Sequence, residues 1–370
     1  MSDAAVIIEE LACAHLKVGR LTLNVAKTLN SLTLPMVDTL QQQLDAWRDD
    51  PTIAAVFIDG SGEKAFCAGG DVQALHRSAT ATPGGPCEEA EAFFAREYRM
   101  NYTLHTWPKP IICWGHGIVM GGGLGVMAGC SHRVVTEATR IAMPEITIAL
   151  FPDVGGSWFL NHMPGKSGQF LALTGASINA AEAVFTGIAD RFIGSEHKAT
   201  VLEQLRRSRW SDDTGANHAQ VRHILRPLTE QSVGSMPGGQ VEPHLRLINA
   251  LCDGDDVHQV VDTITGQQTD DPWLAKARDG LAHGSPLAAL WISRQLQETR
   301  HASLREVFQA EIVLATNIVR YPEFAEGVRA LLLDKDRNPA WAFPNTRAVP
   351  QDLLDAFFQA PWAENPLADL

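Results

Sequence analysis

Apolar positions in the first third of the chain follow two different periods. Val37, Leu40, Leu44 and Trp47 recur at i, i+3, i+7 and i+10, the stripe of an amphipathic helix. On either side, residues 15–23 and 54–58 are short runs rich in β-formers. Strand, helix and strand in that order predict an α/β core. After a Gly/Pro-rich stretch at 82–86, Phe93, Phe94, Tyr98 and Tyr102 mark a second helix, and residues 110–114 a further strand. Glycines crowd residues 121–129, predicting a tight turn into a helix of small residues, and 133–136 and 140–143 read as strands. Residues 211–245 are polar and Gly-rich and predict a boundary or insertion. Beyond them the pattern is helical. Ser285 precedes Pro286 as an N-cap does, and Ser303-Leu-Arg-Glu306 is a capping box ahead of an apolar face of Leu304, Phe308, Ile312, Ala315 and Val319. The expected organisation is a core over residues 1–200, a helical region over 201–341 with a polar insertion near 211–245, and a tail over 342–370.

Composition narrows the function classes. The 370 residues are 45% hydrophobic and 20% charged, with a formal charge of −13 and no long basic run. That excludes a broad electrostatic footprint for nucleic acid or an anionic membrane surface, while leaving room for a small anion held by local donors. No stretch approaches the roughly 20 apolar residues of a membrane-spanning helix. The first ten residues are acidic and lack the basic n-region of a secretory signal and the arginines of a transit peptide, so a cytoplasmic location is expected. Six cysteines (Cys13, Cys67, Cys87, Cys113, Cys130, Cys252) show no framework spacing, which suits a reducing compartment without disulfides.

Several familiar motifs fail on their spacing. Gly165-Lys-Ser167 ends like a phosphate-binding P-loop, but Leu160 stands where its first glycine is required. Gly123-Leu-Gly125-Val-Met-Ala128 matches a dinucleotide fingerprint in outline, with Glu145 20 residues past Gly125, but Glu145 follows Pro144 and an extra strand intervenes. Cys113, His116, Cys130 and His132 could be drawn as a metal site. Cys130 and His132 are too closely spaced for a zinc knuckle, and a thiol in an apolar strand is ordinarily core. No G-x-S-x-G elbow is present, which argues against a serine acyl-enzyme.

Two glycine turns and two carboxylates survive this sieve. Phe66-Cys-Ala-Gly-Gly-Asp71 follows a β-rich segment, and Gly121-Gly-Gly123 opens a helix. Either is a tight turn when taken alone. Together they offer unobstructed backbone N–H groups, one at a positive helix terminus, suited to a carbonyl oxygen that gains negative charge. Glu145 and Asp153 both lie among apolar residues, and Pro152 with Gly155-Gly156 favours a chain reversal that brings them together. A carboxyl partly withdrawn from water has a raised pKa and can exchange protons near neutrality.

At this point the string resembles a known family. Lys64-Ala-Phe-Cys-Ala-Gly-Gly-Asp-Val72, Gly117-Ile-Val-Met-Gly-Gly-Gly-Leu-Gly125 and Met143-Pro-Glu-Ile-Thr-Ile-Ala-Leu-Phe-Pro-Asp-Val-Gly-Gly156 are similar to segments of the crotonase (enoyl-CoA hydratase/isomerase) superfamily. Phe151-Pro-Asp153, Phe170-Leu-Ala-Leu-Thr-Gly175 and the run from Pro322 to Asp336 resemble its 3-hydroxyisobutyryl-CoA hydrolase branch. The resemblance covers about residues 6 to 342. It implies an α/β crotonase-like spiral of ββα repeats with a helical C-terminal region, and an acyl-CoA substrate whose thioester carbonyl is held by the Gly70 and Gly122 amides. It further implies catalysis by Glu145 and Asp153 and a substrate contact at Glu97. The implied reaction is hydrolysis of a short branched 3-hydroxyacyl-CoA in valine catabolism, with coenzyme A as part of the substrate and no separate cofactor or metal. The same resemblance allows a homo-oligomer through the helical end, but the extra length near 211–280 could block or replace that contact, so the oligomeric state is left open. Lys64 and Arg77, near the first glycine turn, are candidates for the CoA phosphates. One departure separates branches. Classical hydratases carry a second glutamate three residues after the oxyanion-hole glycine, where this chain has Gly125. Water addition needs two acid–base carboxylates, so enoyl-CoA hydratase or isomerase activity is the alternative rather than the first expectation.

Overall fold

A computed structural model describes residues 4–370; residues 1–3 of the acidic N-terminal segment lie outside the described residues. Nine strands are present among them: β1 Val6–Ala12, β2 Lys17–Leu23, β3 Ile53–Gly60, β4 Ala65–Cys67, β5 Ile111–Gly115, β6 Ile118–Met120, β7 His132–Val135, β8 Arg140–Ala142 and β9 Arg191–Phe192. Six form one sheet in the order β1-β2-β3-β5-β7-β9, antiparallel only between β1 and β2 and parallel from β2 onward. The other three form a small sheet in the order β4-β6-β8. A repeat is visible in this order. Each of β3, β5 and β7 enters the large sheet, the chain then adds a three-residue strand to the small one, and a helix or 3₁₀ turn follows at Val72–Ala81, Gly122–Ala128 and Glu145–Ile148. The α/β class expected from the sequence holds.

The chain divides into two contact-dense units that interleave along the sequence. The first takes the chain up to Gly70, Met100–Ile141 and Ile178–Gly239; the second takes Asp71–Arg99, Ala142–Ser177 and Gln240–Leu370. A cut near residue 200 coincides with neither.

In the first unit, the helix Leu34–Arg48 starts at Pro35 in its first turn and buries Met36, Val37, Leu40, Leu44 and Trp47, the stripe predicted from spacing. One side of the large sheet is covered by residues that the sequence alone did not assign to the core. The helix Thr214–Ser232 buries Val221, Ile224, Leu225 and Leu228 against Val18, Ala55, Phe57, Ile112, Trp114 and Val134. The region expected to be an inserted boundary is therefore part of the core over Thr214–Ser232. Its i, i+3, i+4, i+7 stripe is narrow and set among histidines, arginines and glutamines that raise its polarity without breaking its period. Asp59 of β3 is fully buried, and Arg20 and Lys198 reach it at 2.9 Å each, holding its carboxyl below the usual range against the upward push of burial.

The second unit is helical. Ser285 caps Pro286–Glu298 through the Ala288 N–H, and Ser303 and Glu306 form the reciprocal capping box of Leu304–Val319, both as the sequence predicts. Together with the helix Pro322–Val328, these account for much of the buried apolar surface between residues 285 and 330.

Candidate active site

The first unit holds the two glycine turns. β4 and β6 are parallel neighbours, pairing Ala65 with Ile118 and Cys67 with Val119, so the turns that follow them leave the same end of one ladder. The turn after β4 is pinned from outside: Ala68 N–H donates to Leu29 O at 3.0 Å, and Leu32 N–H donates to Gly69 O at 2.8 Å. Gly69 has φ +116°, which a residue with a side chain rarely adopts. A Cβ built there would lie 3.5 Å from Met120 O and 3.9 Å from Gly122 N, which fixes how closely the turns approach. The approach depends on Gly123 as well, because a Cβ there would sit 2.3 Å from Cys67 O. No hydrogen bond within the described residues uses the Gly70 N–H, and the Gly122 N–H opens a helix whose first-turn amides have no internal acceptor. Two amide donors thus end adjacent strands, and the Gly122–Ala128 helix adds the positive end of its dipole.

The second unit holds the carboxylates. Glu145 opens a 3₁₀ turn, Glu145–Ile148, that closes when Ala149 adopts φ +51° and Leu150 N–H donates to Glu145 O at 2.9 Å. One chain reversal thus falls at Ala149, ahead of the stretch Pro152 and Gly155-Gly156 where the sequence places it. A second sharp turn follows Asp153, where Val154, buried and β-branched, stands at φ +55° and Gly155 at +83°. A β-branched residue in this left-handed region carries strain of about 1–3 kcal/mol that surrounding contacts must offset. Those contacts come from Glu311 on the helix Leu304–Val319. Its carboxyl accepts the Gly155 N–H at 2.7 Å and the Ser157 N–H at 2.9 Å.

Glu97, Glu145 and Asp153, only 2–5% exposed, share one buried cluster. Burial pushes the Glu145 carboxyl well above the usual range, and the nearby Asp153 adds to it. Glu97 is raised likewise by burial, then by Asp153 and Glu145. Asp153 is raised to about 6 by burial, with the rise restrained by the Tyr98 hydroxyl, which donates to its Oδ2 at 2.7 Å. Glu311 is pushed up to about 8 by burial despite its two amide donors. No lysine, arginine or histidine is among the groups acting on these four carboxyls, so the cluster holds protons near neutral pH that isolated carboxylates would have lost. Glu97 Oε1 and Glu145 Oε2 are buried and bonded to no protein group. Such oxygens are costly to leave unmatched, and a bound hydroxyl or water would satisfy them.

The structure brings Glu97, Glu145 and Asp153 together, and separately brings Gly70 close to Gly122. Lys64 is exposed and lines a pocket of 470 Å³ in the first unit together with Lys27 and Asn30, whereas Arg77 is exposed on the helix Val72–Ala81. Gly125, where classical hydratases have their second glutamate, is buried within Gly122–Ala128. Tyr98 and Glu311 are the two residues that sequence reasoning missed. Tyr98 read as one aromatic of a helix stripe. Glu311 lies three residues after Phe308 on the buried face of its helix, and a charge at that position was the available signal. Among the described residues, no group of three or more histidines, cysteines, aspartates or glutamates is arranged to hold a metal ion.

The sequence profile described as enoyl-CoA hydratase/isomerase matches residues 18–358. The mitochondrial 3-hydroxyisobutyryl-CoA hydrolase of Homo sapiens is 35% identical over 361 residues, covering 97% of this chain and 90% of the relative. The protein of the same name from Danio rerio is 36% identical over 345 residues, covering 93% and 87%. A carnitinyl-CoA dehydratase from Mycobacterium thermoresistibile superimposes with a TM-score of 0.86 at 31% identity, covering 98% of each chain. An enoyl-CoA hydratase from Rhodobacter sphaeroides 2.4.1 gives 0.81 at 31% identity, covering 97% of this chain and 98% of its own.

Proposed function

Since the chain belongs to the enoyl-CoA hydratase/isomerase family and shares the crotonase fold, we propose that it hydrolyses a short branched 3-hydroxyacyl-CoA, with 3-hydroxyisobutyryl-CoA as the first substrate to test. One observation carries the choice of reaction. The position of the second hydratase glutamate is Gly125, while Asp153 supplies a different second carboxyl beside Glu145. The names of the 3-hydroxyisobutyryl-CoA hydrolases at 34–36% identity support the same choice.

In this scheme the Gly70 and Gly122 N–H groups take the thioester oxygen as it becomes an oxyanion. Glu145 either attacks the carbonyl carbon, giving a mixed anhydride that water then opens, or removes a proton from the attacking water. On either route a C–O bond replaces the C–S bond, and the sulfur leaves as free thiol once protonated. Asp153 holds the substrate's 3-hydroxyl or passes the proton. Coenzyme A enters as part of the substrate, and the exposed Lys27 and Lys64 beside the 470 Å³ pocket are candidates for its phosphates. Assembly as a homo-oligomer and a cytoplasmic location belong to the same proposal. Light scattering on the purified protein tests the first. Cell fractionation tests the second, the relatives being named mitochondrial.

The two superimposed structures, a carnitinyl-CoA dehydratase and an enoyl-CoA hydratase, define the second reading, addition or removal of water at a double bond. A thiol-release screen over acyl-CoAs with and without a 3-hydroxyl, run beside an enoyl-absorbance assay, separates the two. Free thiol from 3-hydroxyacyl-CoA without change in enoyl absorbance supports hydrolysis. The reverse pattern overturns it.

A further inference from the structure

We propose that Tyr98 is a positioning residue that fixes the orientation and proton affinity of Asp153 by occupying its Oδ2, leaving Oδ1 for the substrate. The proposal rests on the functional reading above only in taking Asp153 to touch substrate. Tyr98 is fully buried and its hydroxyl donates to Asp153 Oδ2 at 2.7 Å. No other side chain among the described residues is bonded to this carboxyl, whose remaining donor is the Asp153 backbone N–H. The phenol ring is fixed from two sides, by Phe94 with centroids 5.8 Å apart and by Phe308 at 6.0 Å.

One helix supports both halves of the arrangement. Phe308 packs on the Tyr98 ring, and Glu311, less than one turn later, binds the amides of the turn that carries Asp153. The Asp153 backbone is thereby held through Val154, and the carboxyl through Tyr98. Two such restraints on one carboxyl leave it little freedom to rotate. The titratable groups around the pair are Glu97 on the same helix as Tyr98, Glu145 on the 3₁₀ turn, and Glu311 from the helix Leu304–Val319, all acidic. With no cation in this set, the hydroxyl is the one side-chain donor that favours the charged form of Asp153.

Tyr98→Phe removes that donor and keeps the ring. A hydrogen bond to a charged group corresponds to a rise of about one to two pH units in the Asp153 midpoint when it is lost. In the thioesterase assay, the limb of the kcat profile that belongs to Asp153 moves upward by that amount, with KM changed less than about threefold because no substrate contact is removed. A limb that stays within about 0.3 pH units of wild type overturns the proposal, even if the rate falls. A second measurement does not need turnover. With 13C-labelled aspartate carboxyls and Asp153→Asn to assign the resonance, the Asp153 titration midpoint is read directly in wild type and in Tyr98→Phe. An upward move supports the proposal and an unchanged midpoint overturns it. If wild type releases thiol from no acyl-CoA, the functional reading falls and this titration still decides the role of Tyr98.

Discussion

Asp153→Asn stabilises the protein at neutral pH while impairing it as an enzyme. The Asp153 carboxyl is buried and raised from its ordinary 3.8 to about 6. A group raised on folding binds its proton more tightly in the native state, so its contribution to stability is fully present below about 3.8 and is lost as the pH rises through about 6. At 1.36 kcal/mol per pH unit the complete loss is about 3 kcal/mol, of which about 2 kcal/mol falls between pH 4.5 and 7.5. Asparagine has no charge to desolvate, and its carbonyl oxygen still accepts the Tyr98 hydroxyl. The neighbours add in the same direction, because Asp153 is one cause of the raised Glu145 and Glu97 carboxyls. For 370 residues at about 2.1 cal/mol/K per residue, 2 kcal/mol corresponds to about 2–3 °C in Tm. Scanning calorimetry on both proteins at pH 4.5 and 7.5 reads the difference between them at each pH. The variant's margin over wild type grows by about that amount toward neutral pH. A margin that is flat with pH, or a wild type that gains on the variant as pH rises, refutes the claim that Asp153 is held against its charge.

Glu145→Gln lowers kcat for thiol release by about 10²–10⁴-fold with no fall in Tm, since a buried and poorly matched carboxyl is made neutral; near-normal turnover removes Glu145 from the mechanism. Glu311→Gln, compared with wild type near about pH 4 or below, where the raised Glu311 carboxyl is largely protonated both folded and unfolded, leaves either the Gly155 or the Ser157 N–H without its acceptor and costs about 1–3 kcal/mol, read as a lower denaturation midpoint; an unchanged midpoint at that pH shows that the turn holds itself. Gly123→Ala forces a methyl to 2.3 Å from Cys67 O and costs about 1–3 kcal/mol, and it reduces thiol release beyond what the loss of folded protein explains, because the Gly70 and Gly122 amides are displaced together. Leu225→Ala, in the stretch that looked like an insertion, costs about 2–5 kcal/mol in urea unfolding; a cost under about 1 kcal/mol shows that the Thr214–Ser232 helix is dispensable to the core.

Legibility in the sequence followed the length of the periodic signal. The stripe on Leu34–Arg48 spans four turns and was readable, as were the caps at Ser285 and Ser303, where one residue type answers a fixed backbone need. β4, β6 and β8 have three residues each, too few for a period of two to be told from chance, and they form the small sheet whose ends carry the glycine turns. Those turns were found instead through their glycines, because positive φ at Gly69 and Gly121 and close approach at Gly123 favour glycine and so leave a mark in composition that strand pairing does not. The helix Thr214–Ser232 was hidden by the opposite effect. Its exposed face is polar enough to swamp a correct apolar stripe.

The same distinction explains why Glu145 and Asp153 stood out while Tyr98 and Glu311 did not. Glu145 and Asp153 sit in short segments between proline and glycine, where a charged residue among apolar neighbours has no regular element to account for it. Tyr98 and Glu311 sit in long helices whose repeat already explains them, one as an aromatic of the stripe and one as a charge beside it. Their second task becomes visible only when residues 98, 153, 155 and 311 are placed together, as the bonds from Tyr98 to Asp153 and from Gly155 to Glu311 do. A cluster of four buried carboxyls with no cation has to be stabilised by donors that carry no formal charge, namely amides and a phenol. Such donors leave the carboxyls able to take up and release protons near neutrality, where a salt bridge would hold them ionised. The acid–base chemistry proposed for Glu145 and Asp153 therefore depends as much on the absence of a lysine or arginine from this enclosure as on the two acids themselves.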